Sequence, residues 1–125
     1  MIVLLLAIAL AGCDRRMTGD DGGVTSANLA DKIEQARTPA DHEALARYYE
    51  DRARVAQREA AEEHEARTRY ERRWNPENHA MGRGARDHYN HLREGHEEGA
   101  RSYRGMAEWH RKMAERAQHE QDAEE

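Results

Sequence analysis

Eight histidines in 125 residues are the one compositional excess with chemistry in it. Four of them are regularly placed: His42 and His64 stand 22 positions apart, as do His88 and His110, and each pair opens on an Asp-His dipeptide, Asp41-His42 and Asp87-His88. Folding the chain back about Pro76 sets His64 opposite His88 and His42 opposite His110, the two pairs separated by about 33 Å if the intervening chain is helical. His91, three residues after His88, falls on the same helix face. Three imidazoles so placed would hold zinc or copper(II), with a coordination position left for solvent. Met106 and Met113 flank His110 at helical spacing, beside His42, and make a softer set suited to copper(I). Against these metal readings stands a structural one, in which the histidines cap carbonyls or bond Tyr and Glu across a helix interface and the methionines simply pack. Paired imidazoles also resist joint protonation, which couples stability to pH.

Other chemistries lack their residues. There is no Glu-x-x-His pair, so the carboxylate-bridged di-iron bundle has no signature. His-Glu-x-x-His, Cys-x-x-Cys-His and a phosphate-cradling glycine loop are all missing. Cys13 is the one cysteine, which excludes intrachain disulfides and thiolate zinc sites. Carboxylates alternate with arginines at helix spacing and read as solvated pairs. No enzyme is read from this chain. Twenty basic and 25 acidic residues are interspersed, net charge -5, and leave no basic stripe for a nucleic acid.

The elements that position the histidines are helical. With 36% charged residues, no Phe and two Pro, the chain has the composition of long, exposed helices. Ser26 looks like the cap of a short helix over 27–37, with Leu29, Ile33 and Ala36 in register. Thr38-Pro39-Ala40-Asp41 is the strongest boundary: an N-cap Thr, a Pro where no amide bond is lost, and an Asp able to bond back to the cap. A first long helix is expected from Pro39 to about Arg73, with His42, Leu45, Ala46, Tyr49, Ala53, Ala56, Ala60 and His64 on an eleven-residue, coiled-coil-like stripe. Pro76 with Gly82 and Gly84 places the connection over 75–84. A second long helix is expected from Ala85 or Arg86 toward Gln118, its stripe His88, Leu92, Gly95, Gly99, Tyr103, Met106, His110 and Ala114. Helix glycines cost about 1 kcal/mol each against alanine. Close backbone approach at Gly95 and Gly99 is the expected compensation. An acidic tail over 119–125 is expected to fray. The fold class is thus all-α, an antiparallel helical hairpin over 38–118 behind a short helix. So little apolar surface marks it for pairing into a four-helix bundle, as a homodimer or with another protein.

The N-terminus gives an address. Residues 1–12 are uncharged and far shorter than the roughly 20 apolar residues a membrane-spanning helix needs, and they read as an export signal peptide. Leu10-Ala11-Gly12-Cys13 resembles the lipobox of bacterial lipoproteins. That resemblance implies cleavage before a lipidated Cys13, a flexible tether over 13–25, and a lipid anchor holding the rest of the chain on the periplasmic side of a membrane. Asp14 after the cysteine implies retention in the inner membrane by the enteric sorting rule. The segment departs from the pattern in opening without Lys or Arg, which suggests a start a few codons upstream. Thr38 to Ala46, Thr-Pro-Ala-Asp-His-Glu-Ala-Leu-Ala, with Tyr48-Tyr49-Glu50 following, resembles small alanine-rich bacterial envelope proteins; over about residues 29 to 116 this implies a helical hairpin and transfers no catalytic residue.

Overall fold

The computed structural model describes residues 23–73 and 79–125. Residues 1–22, which hold the expected signal peptide, Cys13 and most of the expected tether, and residues 74–78 of the connection lie outside the described residues. The chain is all-α: α1 Leu29–Gln35, α2 Pro39–Arg73 and α3 His79–Glu124. Helices α2 and α3 pack along each other as a helical hairpin, and α1 rests against α2. No helix among the described residues is long and apolar enough to cross a membrane.

The boundary between α1 and α2 is built by short-range hydrogen bonds. Asp41 Oδ2 accepts from the Arg37 and Thr38 amides at 3.0 and 2.9 Å, and Thr38 Oγ1 accepts from the Asp41 amide at 3.2 Å. These donors stabilise the carboxylate, first the Arg37 amide and then Thr38, and hold Asp41 down to about 2. The Arg37 guanidinium donates to the Glu34 and Ala36 carbonyls and closes α1. Asp41→Ala is expected to cost about 1 kcal/mol at neutral pH. Because the folded carboxyl is depressed, its contribution is present above about pH 4 and lost as pH falls toward 2. Thermal melts at neutral pH and an acid titration of helicity, comparing wild type with variant, check both parts.

α1 is shorter than expected. It begins at Leu29, after a turn in which the Thr25 amide donates to Asn28 Oδ1. Ser26 does not cap it; the hydroxyl is instead 3.2 Å from the Tyr48 hydroxyl of α2.

The core is alanine-rich. Its buried apolar members among the described residues are Leu45, Tyr49 and eight alanines, namely Ala36, Ala46, Ala53, Ala56, Ala60, Ala100, Ala107 and Ala114. All six buried residues of α2 are ones its periodicity marks: Leu45, Ala46, Tyr49, Ala53, Ala56 and Ala60. Small side chains let the two helices meet along their length.

On α3 four expectations are corrected. The helix starts at His79, so the connection is shorter than 75–84; Gly82 and Gly84 lie inside the helix, where a glycine costs only about 1 kcal/mol. At the other end the helix continues to Glu124, past the expected stop near Gln118, with Gln118 bonded to Asp122 one turn on. The stripe is also displaced in part: Leu92, Tyr103, His110 and Ala114 face inward as expected, but the rest of the inward line runs one residue on from the expected one. The residues turned inward are Ala85, Tyr89, Leu92, His96, Ala100, Tyr103, Ala107, His110, Ala114 and Ala117, whereas His88, Gly95 and Met106 are exposed. A side chain built on Gly95 or Gly99 would meet nothing within 4 Å, so the expected close approach at these glycines does not occur within the hairpin.

Candidate functional site

Histidine geometry divides the two ends of the hairpin. At the connection end His64, His88 and His91 are all exposed. His88 lies edge-on to its neighbour Tyr89, with ring centroids 5.8 Å apart. Among the described residues no three His, Cys, Asp or Glu side chains are grouped to hold a metal ion. The three-imidazole set expected there is therefore not assembled. The cause is the rotated face of α3. Tyr89, not His88, meets α2, against Tyr70 at 6.3 Å, and Arg67 donates to Asn90 at 2.7 Å.

At the open end the pairing occurs as the fold-back predicts. His42 on α2 and His110 on α3 bring their Nδ1 atoms to 3.2 Å. That distance is a hydrogen bond, so one Nδ1 carries the proton and the other accepts it. His110 is the buried polar member of the core, with 3% of its surface exposed. Tyr49 stacks on its ring at 5.6 Å and 12°, and Trp109 stands edge-on at 4.8 Å. Burial, and secondarily His42 nearby, push its proton affinity below the ordinary value.

Around this pair lies an aromatic cluster. Tyr49 stacks on Tyr103 at 6.3 Å, as the fold-back also predicts, and meets Tyr48 edge-on at 5.4 Å. Burial raises the Tyr49 hydroxyl above the ordinary tyrosine range. Arg52 lies 5.7 Å over the Tyr103 ring, and Glu50 pairs with Arg111. Farther along, His96 Nδ1 is 3.2 Å from a Glu59 carboxylate oxygen, a cross-helix contact that the sequence reading missed. The signal for it was a His facing a Glu once the inward stripe of α3 is placed correctly.

The softer ligand set is only partly gathered. Met113 is half-buried, but Met106 is 48% exposed and off the inward face. Trp109 is 53% exposed, and with Met106 it forms an apolar strip on the outer side of α3. Gly95 and Gly99 continue that strip toward the connection. Neither a family model, a curated protein nor a solved structure matches this chain, and its chemistry is read from its own geometry alone.

Proposed function

We propose that this chain is a lipid-anchored bacterial envelope protein that works by association, through a face of α3 that pairs with a second copy. Cys13 carries the lipid, Asp14 keeps the anchor in the inner membrane, and the hairpin faces the periplasm. The observation that carries the reading is the exposed strip of Met106 and Trp109, in line with Gly95 and Gly99. Exposed tryptophan is unfavourable in water, and two mid-helix glycines cost about 1 kcal/mol each with no internal contact to offset them. A partner helix on this strip would bury the indole and use the glycines for close approach, converting two weak hairpins into one four-helix bundle.

Light scattering over a concentration series tests the association. The wild type is expected to dimerise, and Trp109→Glu to give a helical monomer, because Trp109 is 53% exposed and meets the core only through its edge on His110. Gly99→Ala separates the readings further. On a free face it would stabilise the helix by about 1 kcal/mol; on a paired face it weakens the dimer, which is the outcome expected here. A wild type that stays monomeric, with Gly99→Ala merely more stable, would sink the association. The anchor has its own test: Cys13→Ser is expected to move the protein from the membrane fraction to the soluble one, and a variant that stays membrane-bound would overturn the anchor.

A further inference from the structure

We propose that the second copy pairs antiparallel, α3 against α3, in one register: Trp109 sits on the partner's Gly99, Met113 on the partner's Gly95 and Met106 on the partner's Ser102. This rests on the association of two copies through α3 and gives that association its direction.

Helix α3 carries a second stripe besides the one that meets α2. Gly95, Gly99, Ser102, Met106, Trp109 and Met113 follow one another in alternating steps of four and three, the spacing of a coiled-coil seam. Gly95, Ser102, Met106 and Trp109 are exposed, and Gly99 and Met113 are half-buried. Helix α1 packs on α2 and not on α3, so it leaves the stripe uncovered. The first half of the stripe is small and the second half large. In a parallel pair each residue would face its own copy, with tryptophan on tryptophan and glycine on glycine, crowded at one end and void at the other. In an antiparallel pair crossing near Gly105, every small residue receives a large one. Sliding the partner by one heptad either way sets Trp109 against Leu92 or Met106, and the match is lost.

The charges beside the stripe favour the same register. Glu98, Gly105 and Lys112 lie one heptad apart along its outer edge. In the antiparallel register Glu98 faces the partner's Lys112, Lys112 faces the partner's Glu98, and Gly105 meets the partner's Gly105. Glu98 has no ion pair among the described residues, and Lys112 reaches Glu108 of its own helix at 2.9 Å. A Cβ on Gly105 would meet nothing within 4 Å, so the backbone there is open to close approach where the helices cross. A parallel pair would turn Glu98 toward the partner's Tyr103 and gain no charge pair. The stripe also lies about a quarter turn around α3 from the contact with α2. A twofold axis across the helices therefore leaves both α2 helices on one side of the α3 pair and closes a four-helix bundle, whereas an axis along them sets the α2 helices on opposite sides.

Cysteine cross-linking in the full-length Cys13→Ser chain, whose one native thiol is gone, reads the register. Gly95→Cys and Met113→Cys, mixed and mildly oxidised, are expected to form a disulfide between copies. Either variant alone is expected to stay uncross-linked, because its two copies of the thiol lie roughly 27 Å apart along the pair, far beyond disulfide reach. Self-cross-linking of either variant, or no cross-link in the mixture, with the dimer intact by light scattering, would overturn the register and leave the association standing. A wild type that is monomeric at every concentration would end both. Should the cysteine variants dimerise poorly, charge decides instead: Lys112→Glu is expected to weaken the dimer several-fold at low salt, and adding Glu98→Lys to it to restore the wild-type affinity. A double variant no tighter than Lys112→Glu alone refutes the register.

Discussion

Leu45→Ala is expected to destabilise the hairpin by about 3 kcal/mol, within the range found when a buried leucine is truncated. Leu45 is the one large side chain that is fully buried among the described residues, at 1% exposure, and its inward neighbours on α2 are Ala46, Tyr49 and Ala53. Alanines have no side-chain rotamers with which to fill a void, and the ring of Tyr49 is fixed between Tyr103 and His110. The cavity therefore persists and adds to the lost transfer energy. In a domain whose total stability is about 5–15 kcal/mol at best, that is a large fraction. Urea unfolding followed by circular dichroism measures it. Val55→Ala, at a half-buried position, serves as the comparison and is expected to lose about 1 kcal/mol or less. Equal losses at the two positions would contradict a core centred on Leu45.

The second large effect is acid weakening of the hairpin, through His110. Burial lowers its affinity for a proton when folded, so as pH drops the unfolded chain takes up the proton first. Stability is thus full above the ordinary histidine value near 6.5 and declines as pH falls below it, by at most about 1.4 kcal/mol per pH unit for the one extra proton bound by the unfolded chain. The groups facing His110 reinforce this direction. His42 across the interface would present a second N–H to it when both rings are charged, Tyr49 and Trp109 offer ring faces and edges, and the Glu50 carboxylate is paired with Arg111. The melting temperature is expected to be flat from about pH 7 to 8 and to fall as pH drops below about 6.5. His110→Gln, which stays neutral, is expected to flatten the acid slope even though it lowers the plateau. A slope the same in the variant would assign the effect elsewhere.

How much of this was legible in the sequence differs from helix to helix. The start of α2 is written in four adjacent residues, Thr38 to Asp41, whose hydrogen bonds need no partner from elsewhere in the chain. Its inward face was legible too, because one leucine, one tyrosine and four alanines recur on a single line. The stripe of α3 was legible in part: Leu92, Tyr103, His110 and Ala114 turn inward as expected, whereas His88, Gly95 and Met106 do not. Between them two lines run a residue apart, one through Gly95, Gly99 and Met106 and the other through His96, Ala100 and Ala107, and alanine is too weakly apolar for hydropathy to choose. Met106, the most apolar side chain of either line, lies on the outward one. Packing against α2 buried Ala100 and Ala107, whose methyl groups add apolar area that glycine at 95 and 99 lacks.

The same logic explains why one histidine pair met and the other did not. Reflection about Pro76 brings His42 to His110 correctly, but the observed partners nearer the connection, Glu59 with His96, Arg67 with Asn90 and Tyr70 with Tyr89, centre on positions beyond Pro76. Helix α3 is already formed at His79, and that moved the axis of the fold-back. By itself the sequence determined a pair of long helices, the local lock that starts the first of them and the composition of a thin core, because propensity, capping and periodicity act within a few turns of chain. Only the tertiary structure decided which face of α3 turns inward and which imidazoles touch, because those depend on the register of one helix against another, and a shift of one residue turns a side chain through about 100°.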